Sequence, residues 1–265
     1  MRVPVTFGQY VPVDSFVHRL DARTKMGLVA ALTAALFLVN GFAGLLLIAA
    51  LVALAVVVSR VPWRVALRGI RAVSLILVIT LVAHAVRWEP ATVTLVRIGP
   101  LGIDAEGLRT GVFFGVRIIV LVVGTSLLTL TTSPVALTDG LERVMRPLER
   151  LRFPAGEVAM MLTIALRFIP TTAQEAEKII VAQTARGARF DEGGPIARAR
   201  AFAPVLVPLF VSLFRRADDL ATAMESRCYR GGVGRTRLHE STMHREDWAT
   251  LVVGVSVCVV ISVWL

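Results

Sequence analysis

The sequence predicts an all-α membrane protein, with about five transmembrane helices and three long amphipathic helices outside the bilayer. Hydrophobic residues make up 55% of its 265 residues and charged residues 18%, whereas soluble domains average about 45–50% apolar and about 25% charged residues. Long uncharged runs alternate with arginine-rich segments, as expected for spans joined by charged loops. Two cysteines are too few for a disulfide scaffold.

The first apolar run predicts a helical hairpin. Residues 1–25 are polar and of mixed charge, and we interpret them as a cytoplasmic arm that is not cleaved. The run from residue 26 to residue 58 is interrupted only by Asn-Gly at 40–41, a strong turn former. Because one span needs about 20 residues, the run predicts two tightly connected helices, over 24–39 and 42–58.

Two further spans follow an arginine-rich connection. That connection carries four arginines and no acid: Arg60, Arg64, Arg68 and Arg71. Apolar runs predict spans over 73–86 and 112–130. Proline and glycine predict a loop over 87–110 between them, in which the alternating residues 92–98 are compatible with a short strand.

Residues 131–247 differ from the rest because charged residues recur at regular intervals. Apolar residues at helical spacing predict an amphipathic helix over 135–151. Two more long helices are predicted over 156–187 and 196–229. The last apolar run, 248–265, predicts a fifth span with tryptophans near its ends.

The distribution of positive charge predicts the orientation. Basic residues concentrate before the first span, between the second and third spans, and between the fourth and fifth. The positive-inside rule therefore places the N-terminus in the cytoplasm and the C-terminus outside. The predicted organisation has four segments: a cytoplasmic arm at 1–25, transmembrane helices 1–4 at 26–130, a cytoplasmic helical domain at 131–247 and a C-terminal transmembrane helix at 248–265.

Several kinds of chemistry are not supported by the sequence. Lys25 and Lys178 are the only lysines and neither lies in a Gly-Lys-Ser/Thr motif, so we expect no ATP site in this chain. The carboxylates Asp218, Asp219 and Glu225 resemble the start of a metal cluster, but arginines adjoin the pair and no second acidic cluster is evident. We therefore predict no catalytic residues, no metal site and no cofactor.

Three other functions have weaker support in the sequence. A self-contained secondary carrier or channel needs a polar path or ionisable residues within its spans, and none is visible near the span centres. An intramembrane transferase would depend on the weak carboxylate cluster just described. Nucleic-acid binding would depend on net charge alone, because few aromatic residues are interleaved with the arginines.

The most informative signal is a pair of similar helix ends. The second amphipathic helix is predicted to close with Ala185, Arg186 and Gly187, and the third with Ser226, Arg227 and Cys228. A helix C-terminus favours a cation, and a guanidinium presents a rigid fork of donors that matches a carboxylate. Two such ends predict two docking tips for a partner with two similar sockets.

These features resemble the transmembrane T component of energy-coupling factor transporters, a family that includes the cobalt transport permease of the cobalamin pathway. The resemblance covers nearly the whole chain and is carried by residues 10–25, by QTARGAR at 183–189 and by AMESRCYRGGVGRTR at 223–237. One position departs from the family pattern: Ser226 stands where alanine is usual. Serine is similarly small, so we expect docking to be preserved.

The resemblance implies a scaffold in the plasma membrane of a bacterium or archaeon. Its partners would be two ATPase subunits, which bind ATP and Mg²⁺ and receive the two tips, and a small membrane subunit that binds the substrate, a vitamin or a metal ion. ATP-driven movement of the long helices would reorient that subunit. Its platform is expected on the apolar faces of the second and third long helices, at Leu162, Leu206, Leu209 and Phe210.

Overall fold

The computed structural model describes residues 10–88, 94–98, 101–151, 153–188, 190, 194–231 and 242–264. The chain divides into two compact units. Among the described residues, the first unit consists of 10–140 and 242–264, and the second consists of 141–231.

The first unit is built from the apolar helices. Its elements in chain order are α1 (Phe16–Arg19), α2 (Ala22–Leu38), α3 (Phe42–Ser59), α4 (Trp63–Ala66), α5 (Arg68–Ala85), α6 (Ala105–Thr131), the first half of α7 (Pro134–Met145) and, after the second unit, α11 (Arg245–Trp264). The predicted hairpin is confirmed as α2 and α3, with the turn at Asn40 and Gly41. The all-α class is confirmed as well.

Four of the described helices are long and apolar enough to cross a membrane: Phe42–Ser59, Trp63–Ala85, Ala105–Thr131 and Arg245–Trp264. The second of these combines α4 and α5. Helix α2 has 17 residues, which corresponds to about 26 Å and falls slightly short of the hydrocarbon thickness of about 30 Å. Its first turn also carries Arg23 and Lys25. The predicted number of five spanning helices is therefore not confirmed.

The core of the first unit lies between α2, α3, α6 and α11. Leu36, Leu45 and Ile48 are each 1% exposed and lie at its centre. Helices α2 and α11 pack closely because each presents a glycine to a leucine of the other: Gly27 faces Leu251, and Gly254 faces Leu28. Small residues at such positions allow helix backbones to approach each other in membranes.

A buried polar cluster holds the charged ends of this core. Lys25 is 6% exposed, and its Nζ donates to the carbonyl oxygens of Thr131 (2.9 Å) and His18 (3.2 Å). Asp247, 4% exposed, accepts from the backbone N–H groups of Asp21 (2.8 Å) and His244 (2.9 Å). The cluster therefore ties together the N-terminus of α2, the C-terminus of α6 and the N-terminus of α11.

A small antiparallel sheet occupies the connection between α5 and α6. It contains β1 (Val86–Trp88), β2 (Thr94–Ile98) and β3 (Leu101–Asp104), in the order β1–β3–β2. Strand β2 confirms the short strand that the alternating residues suggested. Asp104 then begins α6 by accepting a hydrogen bond from the Glu106 N–H (3.4 Å), as an N-cap residue does.

The second unit contains the long polar helices. They are the second half of α7, a 3-10 turn (Arg146–Leu151), α8 (Ala155–Ala185), α9 (Pro195–Ala201) and α10 (Ala203–Ser226). Two predictions were too long. Helix α7 ends at Met145 because Pro147 disfavours a regular helix just before it. The predicted third long helix is divided at Phe202, where Pro204 begins a new helix instead of continuing α9.

Candidate functional site

The long helices α8 and α10 form an antiparallel pair. Near the end of α8, Gln183 Nε2 donates to the carbonyl of Pro204 (3.4 Å) at the start of α10. Further back along α8, Glu175 accepts hydrogen bonds from the Ser212 hydroxyl and from Arg216 Nη2, the latter at 3.1 Å. As the residue number falls along α8, its partner's number rises along α10, so the two helices run in opposite directions.

The C-terminal ends of α8 and α10 therefore lie at opposite ends of the pair. Gly231 lies just beyond α10, and the point that a Cβ would occupy there is 3.6 Å from Oε1 of Glu157, in the first turn of α8. Helix α8 contains 31 residues, which corresponds to a length of about 46 Å. The two ends are thus separated by most of the length of α8.

The first tip, Ala185 to Gly187, closes α8 with a defined hydrogen-bond pattern. Arg186 is the C-cap residue, with φ −84° and ψ 4°. Gly187 adopts φ +90°, and its N–H donates to the carbonyl of Thr184 at 3.0 Å. The N–H of Ala188 reaches back to the carbonyl of Gln183, also at 3.0 Å. This pair of bonds around a left-handed residue is a Schellman motif.

The second tip, Ser226 to Cys228, repeats that motif at the end of α10. Arg227 is the C-cap residue, with φ −90° and ψ 13°. The N–H of Cys228 donates to the carbonyl of Glu225 (2.9 Å), and the N–H of Tyr229 donates to the carbonyl of Met224 (3.0 Å). Arg227 thus corresponds to Arg186, and Cys228 corresponds to Gly187.

Both tips expose an arginine at the end of a helix. All six tip residues are exposed. Among the residues that the structure describes, neither Arg186 nor Arg227 forms an ion pair with a carboxylate. Each guanidinium stands where the partial negative charge of the helix end favours a cation. The two tips can therefore each offer a rigid fork of donors to an acidic group of another protein.

The second tip differs from the first in backbone strain. Cys228 adopts φ +58°, and an L-residue with a Cβ pays roughly 1–2 kcal/mol in the left-handed region. Glycine does not carry this penalty, so Gly187 closes the first tip without strain. The sequence identified the small residue after each arginine, but only the structure shows that both residues fill the same left-handed position.

The residues predicted to form a platform have different environments. Leu162, Leu206 and Phe210 are 37%, 47% and 55% exposed, whereas Leu209 is half-buried. On α10, exposed apolar residues continue at helical spacing and form one stripe. That stripe contains Leu206, Val207, Phe210, Val211 and Phe214.

One feature of the pair had no signal in the sequence. Glu175, Ser212 and Arg216 form a polar clasp about two-thirds of the way along α8 and near the middle of α10, and the Arg216 guanidinium also lies 5.7 Å from the ring centre of Phe168. Asp218, Asp219 and Glu225 are exposed, and no group of three or more potential metal ligands occurs within the described ranges. Arg189 and residues 232–237 of the motif runs lie outside those ranges.

The comparisons with known proteins cover nearly the whole chain. Residues 14–239 match the family CbiQ, described as cobalt transport protein. An energy-coupling factor transporter transmembrane protein, EcfT, from Heliobacterium modesticaldum is 48% identical over 260 residues, which cover 98% of this chain and 97% of that protein. A protein of the same name from Thermanaerovibrio acidaminovorans is 51% identical over 247 residues, covering 93% and 91% of the two chains.

Proposed function

The chain belongs to the CbiQ family of cobalt transport proteins and is a membrane component of energy-coupling factor transporters; from this premise we propose that it is the scaffold that couples two ATPase subunits to a substrate-binding membrane subunit. It would import a vitamin or another micronutrient. ATP and Mg²⁺ would be bound by the ATPase subunits, and the chain itself would be non-catalytic.

The observation that carries this proposal is the repetition of one capped arginine tip at the two ends of an antiparallel helix pair. Arg186 and Arg227 occupy the same C-cap position in the same hydrogen-bonded motif. A repeated motif fits two homologous grooves in the partner proteins. The wide separation of the two tips fits grooves that lie on two different subunits. Each arginine would pair with an acidic group in the groove that receives its tip.

The helix pair would convert movement of the ATPase subunits into movement at the membrane. When the ATPase subunits approach each other, the tips would be carried with them, because each tip is the end of a long continuous helix. The clasp at Glu175 lies between the tips and would act as the pivot of the pair. The two helices would then rotate about this contact and displace whatever rests on their apolar surfaces.

The substrate-binding subunit would rest on the apolar stripe of α10 and the exposed part of α8. The stripe presents large side chains to the surroundings, with Phe210 55% and Phe214 70% exposed. Leu162 on α8 would extend the surface. Leu209 is half-buried, so it would contribute less contact area than the other predicted platform residues.

We place the protein in the plasma membrane of a bacterium or archaeon, with its N-terminus in the cytoplasm. The arginine-rich connection between α3 and α5 and the basic residues of the second unit support this orientation through the positive-inside rule. The same rule places the tips on the cytoplasmic side, where ATPase subunits have access to ATP.

Cross-linking from the native thiol of Cys228 tests this proposal. Cys228 is exposed at the second tip, whereas the other cysteine, Cys258, is 5% exposed in the core. A short photoactivatable label on Cys228 should capture an ATPase subunit when the full complex is illuminated in membranes. The control is the same label on Val263→Cys in a Cys228→Ser background, because Val263 is 74% exposed at the far end of α11. Equal capture from both positions would contradict docking at the tip.

A further inference from the structure

We propose that the face of α4 and α5 that begins with Arg64 is a binding site for an anionic phospholipid. The site would lie in the first unit, and its existence does not depend on the proposed coupling function. Three properties of that face support it: the spacing of its arginines, the lack of acidic residues in the neighbouring sequence, and the apolar residues that continue the same face into the membrane.

The arginines share one side of the helix. Arg64, Arg68 and Arg71 are separated by four and three residues, which are the spacings that place side chains above one another on a helix. Leu67, the turn residue between α4 and α5, stays in the right-handed region (φ −85°, ψ −5°), and the Ile70 N–H donates to its carbonyl at 3.1 Å, so the chain continues in a helical sense from Arg64 to Arg71. All three side chains are exposed.

The helices that carry this face contain no carboxylate that could neutralise its charge. The sequence contains no acidic residue between Asp21 and Glu89, and none between Glu106 and Asp139. These intervals include all of α4 and α5 and the α6 residues Gly111 and Ser126 that contact α5. Val11 of the preceding segment also packs beside Val61 and Ala66, so Asp14 is the acidic residue nearest in sequence to a contact with α4. Among the described residues, none of the three arginines forms an ion pair. Their charge is therefore available to an external anion.

The same face becomes apolar at the depth of the lipid tails. Leu75, Val78 and Val82 continue the three- and four-residue spacing from Arg71, and they are 70%, 59% and 53% exposed. From Arg71 to Val82 the helix rises about 16 Å, which is close to half of a hydrocarbon core about 30 Å thick. The face thus presents cations at the headgroup level and apolar side chains along one leaflet.

A tryptophan marks the level of the interface. Trp63 is 63% exposed at the start of α4, and the Arg64 guanidinium lies 5.5 Å from its ring centre. Tryptophan is enriched at the boundary between headgroups and hydrocarbon. A phosphate diester with two acyl chains matches the complete face. A soluble phosphate would contact only the arginines of the face, and a protein carboxylate would leave its apolar residues without a partner.

Native mass spectrometry of the purified chain in a neutral detergent tests this assignment. Phosphatidylglycerol should be retained as a discrete adduct, and phosphatidylcholine with the same acyl chains should not. The variant Arg64→Gln/Arg68→Gln/Arg71→Gln should lower the apparent affinity for phosphatidylglycerol by about tenfold or more, since each basic residue near an anionic surface contributes appreciably to binding. The control Arg198→Gln/Arg200→Gln/Arg215→Gln removes the same charge from exposed positions of the second unit and should retain wild-type affinity.

Four results would overturn the proposal. Equal losses in the two triple variants would indicate diffuse attraction to net charge. Displacement of the adduct by millimolar inorganic phosphate would indicate a general anion site. Loss of the adduct in the complex with the partner subunits would assign the face to a protein. If the glutamine triple variant does not fold, the single variants Arg68→Gln and Arg68→Lys replace it. The proposal requires that Arg68→Lys retains the phosphatidylglycerol adduct and that Arg68→Gln retains less of it. Equal retention of the adduct by both variants would contradict the proposal.

Discussion

Exchanging the left-handed residues of the two tips should change their stability in opposite directions. Gly187 has φ +90°, and among the residues that the structure describes none beyond its own chain neighbours lies within 4 Å of the point that a Cβ would occupy there, while Cys228 has φ +58°. Gly187→Ala therefore introduces conformational strain without a steric clash, and Cys228→Gly removes strain. A residue with a Cβ pays roughly 1–2 kcal/mol in this region, so each substitution should shift the opening free energy of its tip by about that amount.

Hydrogen exchange measures this effect at the tips themselves. The informative amides are those of Ala188 and Tyr229, which each donate the longer-range bond of their motif. A shift of about 1–2 kcal/mol corresponds to a change in exchange rate of about 5- to 30-fold, because 1.4 kcal/mol is a factor of ten. Exchange at Ala188 should accelerate in Gly187→Ala, and exchange at Tyr229 should slow in Cys228→Gly. Unchanged exchange at both amides would refute the equivalence of the tips.

Three further predictions concern the packing of each unit. Burial lowers the pKa of Lys25 from 10.5 to about 8, although Asp21 and Asp247 oppose the shift. Between these two pH values the unfolded chain binds a proton that the folded chain does not, so the folded state gains stability as the pH rises. The melting temperature of the wild type should therefore rise from pH 8 to pH 10 relative to that of Lys25→Met. Gly254→Leu should lower the free energy of unfolding by about 1–3 kcal/mol through overpacking, seen as a lower melting temperature, whereas an unchanged value would contradict close packing of α2 and α11. Glu175→Gln should lower the free energy of unfolding by about 1 kcal/mol or less, because the clasp is partly solvated, and should accelerate hydrogen exchange in α8 around Glu175. Unchanged exchange there would exclude the clasp as a restraint on the helix pair.

The apolar helices were largely predictable because their signal is local. Uncharged runs and the Asn-Gly pair indicated α2 and α3 within a few residues, and the alternating residues 92–98 indicated β2. The number of spans was less predictable because it depends on where a helix begins relative to the membrane. Lys25 is packed inside the protein against carbonyl oxygens, so α2 begins before the apolar run does.

The candidate site was predictable in composition but not in geometry. The two arginines with small neighbours could be identified from the sequence, since each is contained within three residues. The left-handed conformation of Cys228 could not, because a non-glycine residue rarely adopts it. The clasp between Glu175 and Arg216 joins residues 41 positions apart, and no periodic pattern pairs such residues. The apolar run around Leu209 does not show which side of the helix is covered, so the half-burial of Leu209 is not predictable from the sequence.

Docking of the ATPase subunits through Arg186 and Arg227 can be measured directly as recovery of those subunits with charge-reversed tips. The full complex should be purified from membranes with wild type, Arg186→Glu, Arg227→Glu, the double variant and the exposed control Arg215→Glu. Losing one partner of a buried charge pair costs about 2–5 kcal/mol, so each single tip variant should weaken recovery and the double variant should abolish it, while the control behaves as wild type. Undiminished recovery with the double variant would contradict docking through the arginine tips.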